Sequence, residues 1–167
     1  MFEMQAEVLR EFLDRPLPAV LSTLRRDGSP YTIPLWYLWE GEVPDDVHPV
    51  HNPPSGQAWF LGGATSTWVR HLQHDPRMSL CIDIEGPPAM HVGIDGMVEV
   101  LSEPESDPWP ILRRLVEKYV GRGDPANDGE VEGYLETTRS MSPMLFKVTP
   151  KQWRTIDLSE FEAGQDI

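Results

Sequence analysis

The stretch 58–84, AWFLGGATSTWVRHLQHDPRMSLCIDI, constrains this chain more than any other. Ala58–Leu61 is apolar and aromatic, the composition of a buried strand. Gly62-Gly63 then removes two side chains, so another group can approach the backbone closely. Thr65 or Ser66 is suited to cap a helix that runs to about His74. Asp75-Pro76 stops that helix, and Met78–Ile84 resumes the extended pattern. A helix start beside a glycine turn, ringed with hydroxyls, offers N–H groups and a dipole suited to a phosphate.

The chain before this unit predicts an amphipathic helix over residues 2–13, ending before Pro16. A short apolar strand, Ala19–Leu24, leads into the turn Arg25-Arg26-Asp27-Gly28-Ser29-Pro30, whose Asp-Gly pair is a hairpin signal. Tyr31–Trp39 reads as the return strand, with Pro34 marking an edge, a bulge or a strand end. Residues 40–57 carry four prolines and several acids, the composition of a long solvated loop. After the central unit, Gly86-Pro87-Pro88 turns the chain into a strand over Met90–Leu101, which Gly93 and Gly96 bend. Ser106–Val120 predicts a helix with Pro108 in its first turn, and Val131–Arg139 a shorter one after a polar loop. Two closing strands, Met144–Val148 and Gln152–Ile156, flank Thr149-Pro150, and an acidic tail follows from Asp157. Many short strands with few helices predict a mainly β fold, a barrel or a sandwich, in one domain over residues 1–167.

Charge narrows the function. With 14 Lys and Arg against 27 Asp and Glu, the net charge is −13, which disfavours nucleic-acid backbones and favours a small-molecule or protein partner. No apolar run reaches the roughly 20 residues of a membrane span, and no secretory signal is visible. A single cysteine, Cys81, excludes an internal disulfide; together these features predict a soluble cytoplasmic protein.

Common catalytic signatures are missing, including a phosphate-binding loop, a nucleophile elbow and paired zinc ligands. His48 and His51 lack local partners for a metal and read as solvated loop residues. His71 and His74 stand three apart on the short helix with no third ligand at convincing spacing, so they read as surface histidines. Cys81 alternates with Leu80 and Ile82 and reads as a packed small hydrophobe. Trp36, Trp39, Trp59 and Trp68 cluster around the central strands, as walls for a planar ligand or as an ordinary core or interface.

Residues 19–101 resemble the split-barrel flavoproteins of the pyridoxamine 5'-phosphate oxidase-like superfamily, in the branch with flavin and deazaflavin oxidoreductases. AVLSTLRRDGSPYTIPLWYLWEG carries the family's strand–turn–strand, and AWFLGGATSTWVRHLQHDPRMSL its strand, turn and helix ending in L-x-x-DPR-x-S-L. The resemblance implies an antiparallel FMN-binding split β-barrel with flanking helices. It also implies a homodimer with the cofactor, FMN or alternatively a deazaflavin coenzyme, in a groove at the subunit interface. By the same resemblance Thr32, Ile33, Pro34, Leu35 and Trp36 lie along the cofactor ring. Thr65, Ser66, Thr67 and Arg70 face its phosphate, with Trp68 stacking on the ring or covering the groove, and His91 stands near the ring edge. Members of that family that hold the flavin phosphate tightly usually have Arg-Lys directly after the serine of this turn. Thr67 and Trp68 stand there in this chain, so two formal charges are gone, and charge-assisted bonds are about twice as strong as neutral ones. The Arg-x-His ending of the true pyridoxamine phosphate oxidases is also missing, so that activity is not expected.

What the resemblance implies about function is hydride transfer to or from a small organic substrate, with the cofactor carrying the chemistry. His91 is the one side chain to test as a proton donor; its alternative is an ordinary hydrogen-bonded strand histidine. A non-catalytic flavin, deazaflavin or tetrapyrrole carrier, or a cofactor-free dimeric module, are the alternatives on the same scaffold.

Overall fold

The computed structural model describes residues 2–45, 56–101 and 106–163. Its elements in order are α1 (Ala6–Asp14), β1 (Ala19–Leu24), β2 (Pro30–Leu35), β3 (Leu38–Glu40), β4 (Gln57–Gly63), α2 (Thr67–His74), β5 (Arg77–Asp83) and β6 (Met90–Leu101). Then come α3 (Trp109–Val116), a π turn (Glu117–Gly121), a 3-10 turn (Pro125–Asn127), α4 (Asp128–Thr138), β7 (Pro143–Asp157) and α5 (Ser159–Ala163). The seven strands form one antiparallel sheet in the order β2-β1-β5-β6-β7-β4-β3.

That order explains the barrel. β2 and β3 lie at opposite edges of the sheet, yet only Trp36 and Tyr37 separate them in sequence. Two residues span about 7 Å, so the sheet must roll until its edges meet. Among the described residues no ladder joins those edges, and the barrel is split along this seam. Alternate residues of each strand turn inward, as in Ala19, Leu21 and Thr23 of β1, or Met78, Leu80 and Ile82 of β5. They meet Phe60, Val92, Ile94, Phe146, Val148 and the α1 residues Leu9, Phe12 and Leu13 in one core.

The departures from the sequence reading have local causes. Tyr31–Trp39 is two strands rather than one, because the chain crosses the seam at Trp36-Tyr37. Pro34 sits on β2, whose outer side has no strand partner among the described residues, so its missing N–H leaves no ladder bond unmade. The closing strands are one strand, β7, which passes Pro150 by a bulge opposite Asp95 and Gly96. A Cβ at Gly96 would stand 2.6 Å from the Thr149 carbonyl, so the bulge needs that glycine. The helix predicted over Ser106–Val120 starts at Trp109 and ends in the π turn, and the next starts at Asp128 rather than Val131. The first helix starts at Ala6, and Phe2 instead accepts a backbone bond from Asp157. Part of the tail, Ser159–Ala163, is helical. His48 and His51 lie outside the described residues.

Candidate functional site

The site is built around the turn from β4 into α2. Ser66 precedes α2 with extended backbone, its N–H donating to Gly63 O at 2.9 Å, and its hydroxyl makes no capping bond. The first-turn N–H groups of α2 thus lack a side-chain cap, in a turn where Ala64, Thr65 and Thr67 are exposed. Arg70, one turn along, folds back so that Nη2 donates to Thr65 O at 3.3 Å. The Arg70 guanidinium thus lies against the turn, where positions 67 and 68 carry no charge.

The two glycines of the turn have different roles. A Cβ at Gly62 would stand 2.3 Å from the Trp68 ring, whereas at Gly63 the nearest group is Ser66 Oγ at 3.9 Å. What approaches Gly62 is an indole of the chain itself; Gly63 stays open. Trp68 is only 7% exposed and packs on Phe60 and Phe146, with ring centroids 5.7 and 5.1 Å away.

On one side of this turn lies a polar groove between α2 and the β1–β2 hairpin. Arg25, Arg26, Thr67, Arg70, His71 and His74 line it. His71 is anchored there, its Nδ1 2.9 Å from the buried Thr23 Oγ1 and its ring edge-on to Tyr31. On the other side lies an apolar chamber of about 400 Å³ between the barrel seam, Gly62-Gly63 and the inserted helices. Its walls include Trp36, Leu61, Leu112, Leu115, Tyr134 and Met141, and none of its described lining side chains is charged. Trp36 is stacked flat on Tyr119, with centroids 4.9 Å apart and planes within 1°.

Tyr119 is itself fixed at the seam. Its hydroxyl lies 3.2 Å from Tyr37 N, 3.1 Å from Tyr37 O and 2.9 Å from Leu17 O. Lys118 Nζ donates to Leu13 O at 2.8 Å and Tyr37 O at 3.2 Å, and sits 3.9 Å from the centre of the Tyr37 ring. Burial drives the lysine down to about 8 and the Tyr119 phenol up to about 12. The backbone groups that an open seam would leave unpaired are thus satisfied by the inserted helix.

The residues expected at the cofactor divide into three sets. Trp36 lines the chamber, while Thr65, Ser66, Thr67 and Arg70 surround the α2 start. Ile33 and Leu35 turn inward against the core with Trp68. Thr32, Pro34 and His91 share the outer face of the sheet, paired in register with Ser22, Val20 and Asp83. His91 stands three strands from β2, roughly 14 Å across the sheet. A single chain therefore does not bring His91 to the chamber. Cys81 shares that outer face, where burial and then Asp83 push its thiol up, away from the thiolate a nucleophile needs. No group of three or more potential metal ligands occurs among the described residues.

Sequence reasoning missed the roof of the chamber, Leu112, Leu115, Tyr134 and Met141. The available signal was Tyr134: Val131, Leu135 and Thr138 form the buried stripe of α4, and a large aromatic beside that stripe lacks a place in the core. Arg25, Arg26, His71 and His74 were likewise unassigned, because the hairpin and α2 meet only in the fold.

Known proteins share this architecture. The family model described as pyridoxamine 5'-phosphate oxidase matches residues 6–157. No curated protein sequence matches the chain. Among solved structures, the conserved hypothetical protein Rv2991 from Mycobacterium tuberculosis aligns with a TM-score of 0.68 at 17% identity, over 96% of this chain and 89% of that one. An F420 reductase aligns at 0.59 and 19% identity, over 87% and 94% of the two chains. The heme storage protein HutZ from Vibrio cholerae aligns at 0.55 and 15% identity, over 92% and 95%. At such identities the likeness is one of fold. With the family model spanning all seven strands and the split between β2 and β3 in place, this chain belongs to the pyridoxamine 5'-phosphate oxidase family.

Proposed function

We propose that the protein is a flavin- (FMN) or deazaflavin-dependent oxidoreductase that moves a hydride to or from a small organic substrate. The observation that carries this reading is the two-sided site at Gly62–Thr67. An uncharged aromatic chamber lies on one side of the turn and a cation-lined groove on the other. A flavin-type cofactor has the same division, a planar ring at one end and a phosphate at the other. The uncapped start of α2 and Arg70 fit that phosphate. The match to an F420 reductase supports the same class.

In this reading the bound cofactor supplies the hydride chemistry. The chain supplies binding and exclusion of water. Ser66 and Thr67 hydroxyls, the first N–H groups of α2 and the Arg70 guanidinium hold the phosphate. Trp36, Leu61 and the helical roof keep the ring end dry. His91 is the proton donor to test, and it reaches a cofactor only across an interface with a second copy. Thr32, Pro34, Val20 and Cys81 face outward on the same side of the sheet and form the dimer face.

The absorbance of freshly purified protein, followed by titration with FMN and with a deazaflavin, tests the proposal. Ser66→Ala with Arg70→Ala is expected to weaken uptake by about tenfold or more, the loss of one neutral and one charge-assisted bond. A colourless protein that takes up neither cofactor overturns the reading. A non-catalytic tetrapyrrole carrier is the second reading, favoured by the two charges absent at Thr67-Trp68 and by the likeness to a heme storage protein. A Soret-type band in the purified protein would select it.

A further inference from the structure

We infer that His71 is a phosphate-binding side chain of this site, oriented by the buried hydroxyl of Thr23, and that the charge on its ring sets how tightly the anion is held. The inference rests on the reading above, in which the start of α2 faces a phosphate, and adds a residue and a pH dependence to it. Thr67, Arg70, His71 and His74 stand at the spacing of a single helix face, and all four line the groove. Side chains on a helix lean towards its N-terminus, as the bond from Arg70 to the Thr65 carbonyl shows. His71 follows Arg70 and leans the same way, towards the turn where positions 67 and 68 carry no charge.

The partner of His71 sets it apart. Three polar side chains are buried among the described residues, Thr23, Thr138 and Thr155. Thr138 donates to the carbonyls of its own helix and Thr155 accepts from the N–H of Met4, so both satisfy backbone. Thr23, 1% exposed, instead meets a side chain, its Oγ1 lying 2.9 Å from His71 Nδ1. The two nitrogens of an imidazole point to opposite sides of the ring, so Nδ1 held at the barrel wall leaves Nε2 for the groove.

A hydroxyl suits both charge states of this ring. It donates to Nδ1 when the ring is neutral, with the proton on Nε2, and accepts from Nδ1–H when the ring is charged. In either state Nε2–H can donate to an anion, and the charged ring does so about twice as strongly. The pair therefore takes up a proton without orphaning the buried hydroxyl. Facing the ring are Tyr31, edge-on at 5.2 Å with Arg25 over it, Arg26 on the same hairpin, and Arg70 and His74 on α2. β1 carries no titratable side chain, and β6 turns Ile94 and Val98 into the core under α2 while Asp95 and Glu99 stay outside. Among the described residues no carboxylate lines the groove, although acids outnumber cations in the chain by 27 to 14. The nearest in sequence, Asp27 and Asp75, are held by Ser29 and Arg77. An anion is the counter-charge that this groove lacks.

The test uses sulfate, which keeps both charges between about pH 5.5 and pH 8, the range in which histidine changes charge. The ring protons of His71, identified by their loss in His71→Gln, are followed by NMR while the purified protein is titrated. Sulfate is expected to shift them, with affinity rising about fivefold from pH 8 to pH 5.5 as the ring becomes charged. His71→Gln should flatten that rise, whereas His74→Gln should keep most of it. Thr23→Val removes only the hydroxyl's chemistry and should flatten the rise as well, and Thr23→Ser should restore it. Should Thr23→Val fail to fold, the His71→Gln comparison decides alone. No binding of sulfate to the wild-type protein, a rise that follows His74 instead, or a folded Thr23→Val that behaves as wild type overturns the inference. FMN uptake with unchanged affinity in His71→Gln also overturns it and leaves the cofactor reading intact. If sulfate follows the expected pattern while neither FMN nor a deazaflavin is taken up, the cofactor reading fails and the anion role of His71 stands.

Discussion

Gly62 and Trp68 require one another. The indole of Trp68 lies where any side chain at 62 would go, with two ring carbons 2.3 and 2.4 Å from the place a Cβ would take and Val69 Cγ2 at 3.2 Å. Gly62→Ala is therefore expected to cost about 1–3 kcal/mol through displacement of a packed ring. Gly63→Ala meets nothing closer than 3.9 Å and is expected to cost under about 1 kcal/mol. Urea unfolding of the two variants side by side checks the contrast, and equal losses would refute it. The doublet is legible in the sequence as a place where something comes close to the backbone. Which neighbour comes close is not, because an indole six residues ahead reaches Gly62 only once α2 has folded back over β4. Arg70 is legible for the complementary reason. Its i−5 distance from Thr65 is local, so a turn read correctly places the guanidinium near it.

At the scale of the element, the π turn after α3 decides how the barrel is closed. Its i→i+5 bond, Arg122 N to Glu117 O at 2.9 Å, adds a residue to the turn, and adjacent Lys118 and Tyr119 both reach the seam. Regular helical periodicity would not place two neighbours on one face, so the sequence shows a helix here and not its function. The strands were more legible, because alternation survives in β1 and β5. It fails at Trp36-Tyr37, where an unbroken aromatic run hides the crossing from one sheet edge to the other. Lys118 makes the seam testable. Burial brings its ammonium to about 8, against 10.5 for an ordinary lysine, with Asp14 opposing. Between those values the unfolded chain keeps a proton that the folded chain has released, so stability rises with pH through that window. Below it the buried charge costs stability, offset by the two carbonyls and the Tyr37 ring. Lys118→Met should remove the rise. The stability difference between wild type and variant is expected to grow by about 1–2 kcal/mol in favour of wild type from pH 7.5 to 10.5. A difference that stays flat would show that Lys118 remains as basic as a surface lysine.

For the whole molecule, the question is how His91 could meet a chamber on the far side of its own sheet. The outer faces of β2, β1, β5 and β6 supply an answer in their register: Pro34, Val20 and Cys81 stand side by side, with Gly93 continuing the row beneath the Arg154 guanidinium. The row is low in profile, and Val20 leaves 38% of a β-branched apolar side chain in water. Arg154 is held by Asp95 at the end of the row, so its charge is matched within the chain. A second copy seated on this face would cover the apolar row and bring one chain's His91 towards its partner, the arrangement expected of a cofactor shared between subunits. Val20→Glu sets a carboxylate in the centre of that row, and in a symmetric dimer each copy would present it to the other. Sedimentation at micromolar concentration is expected to give a dimer for the wild-type chain and a monomer for Val20→Glu, with folding preserved because the position faces solvent in one chain. If the shared-cofactor geometry holds, the same variant loses FMN or deazaflavin affinity in parallel, although Val20 lies outside both the chamber and the groove. A monomeric wild-type protein, or a monomeric variant with full cofactor affinity, would confine the site to one chain and leave His91 an ordinary strand residue on the outer face of β6.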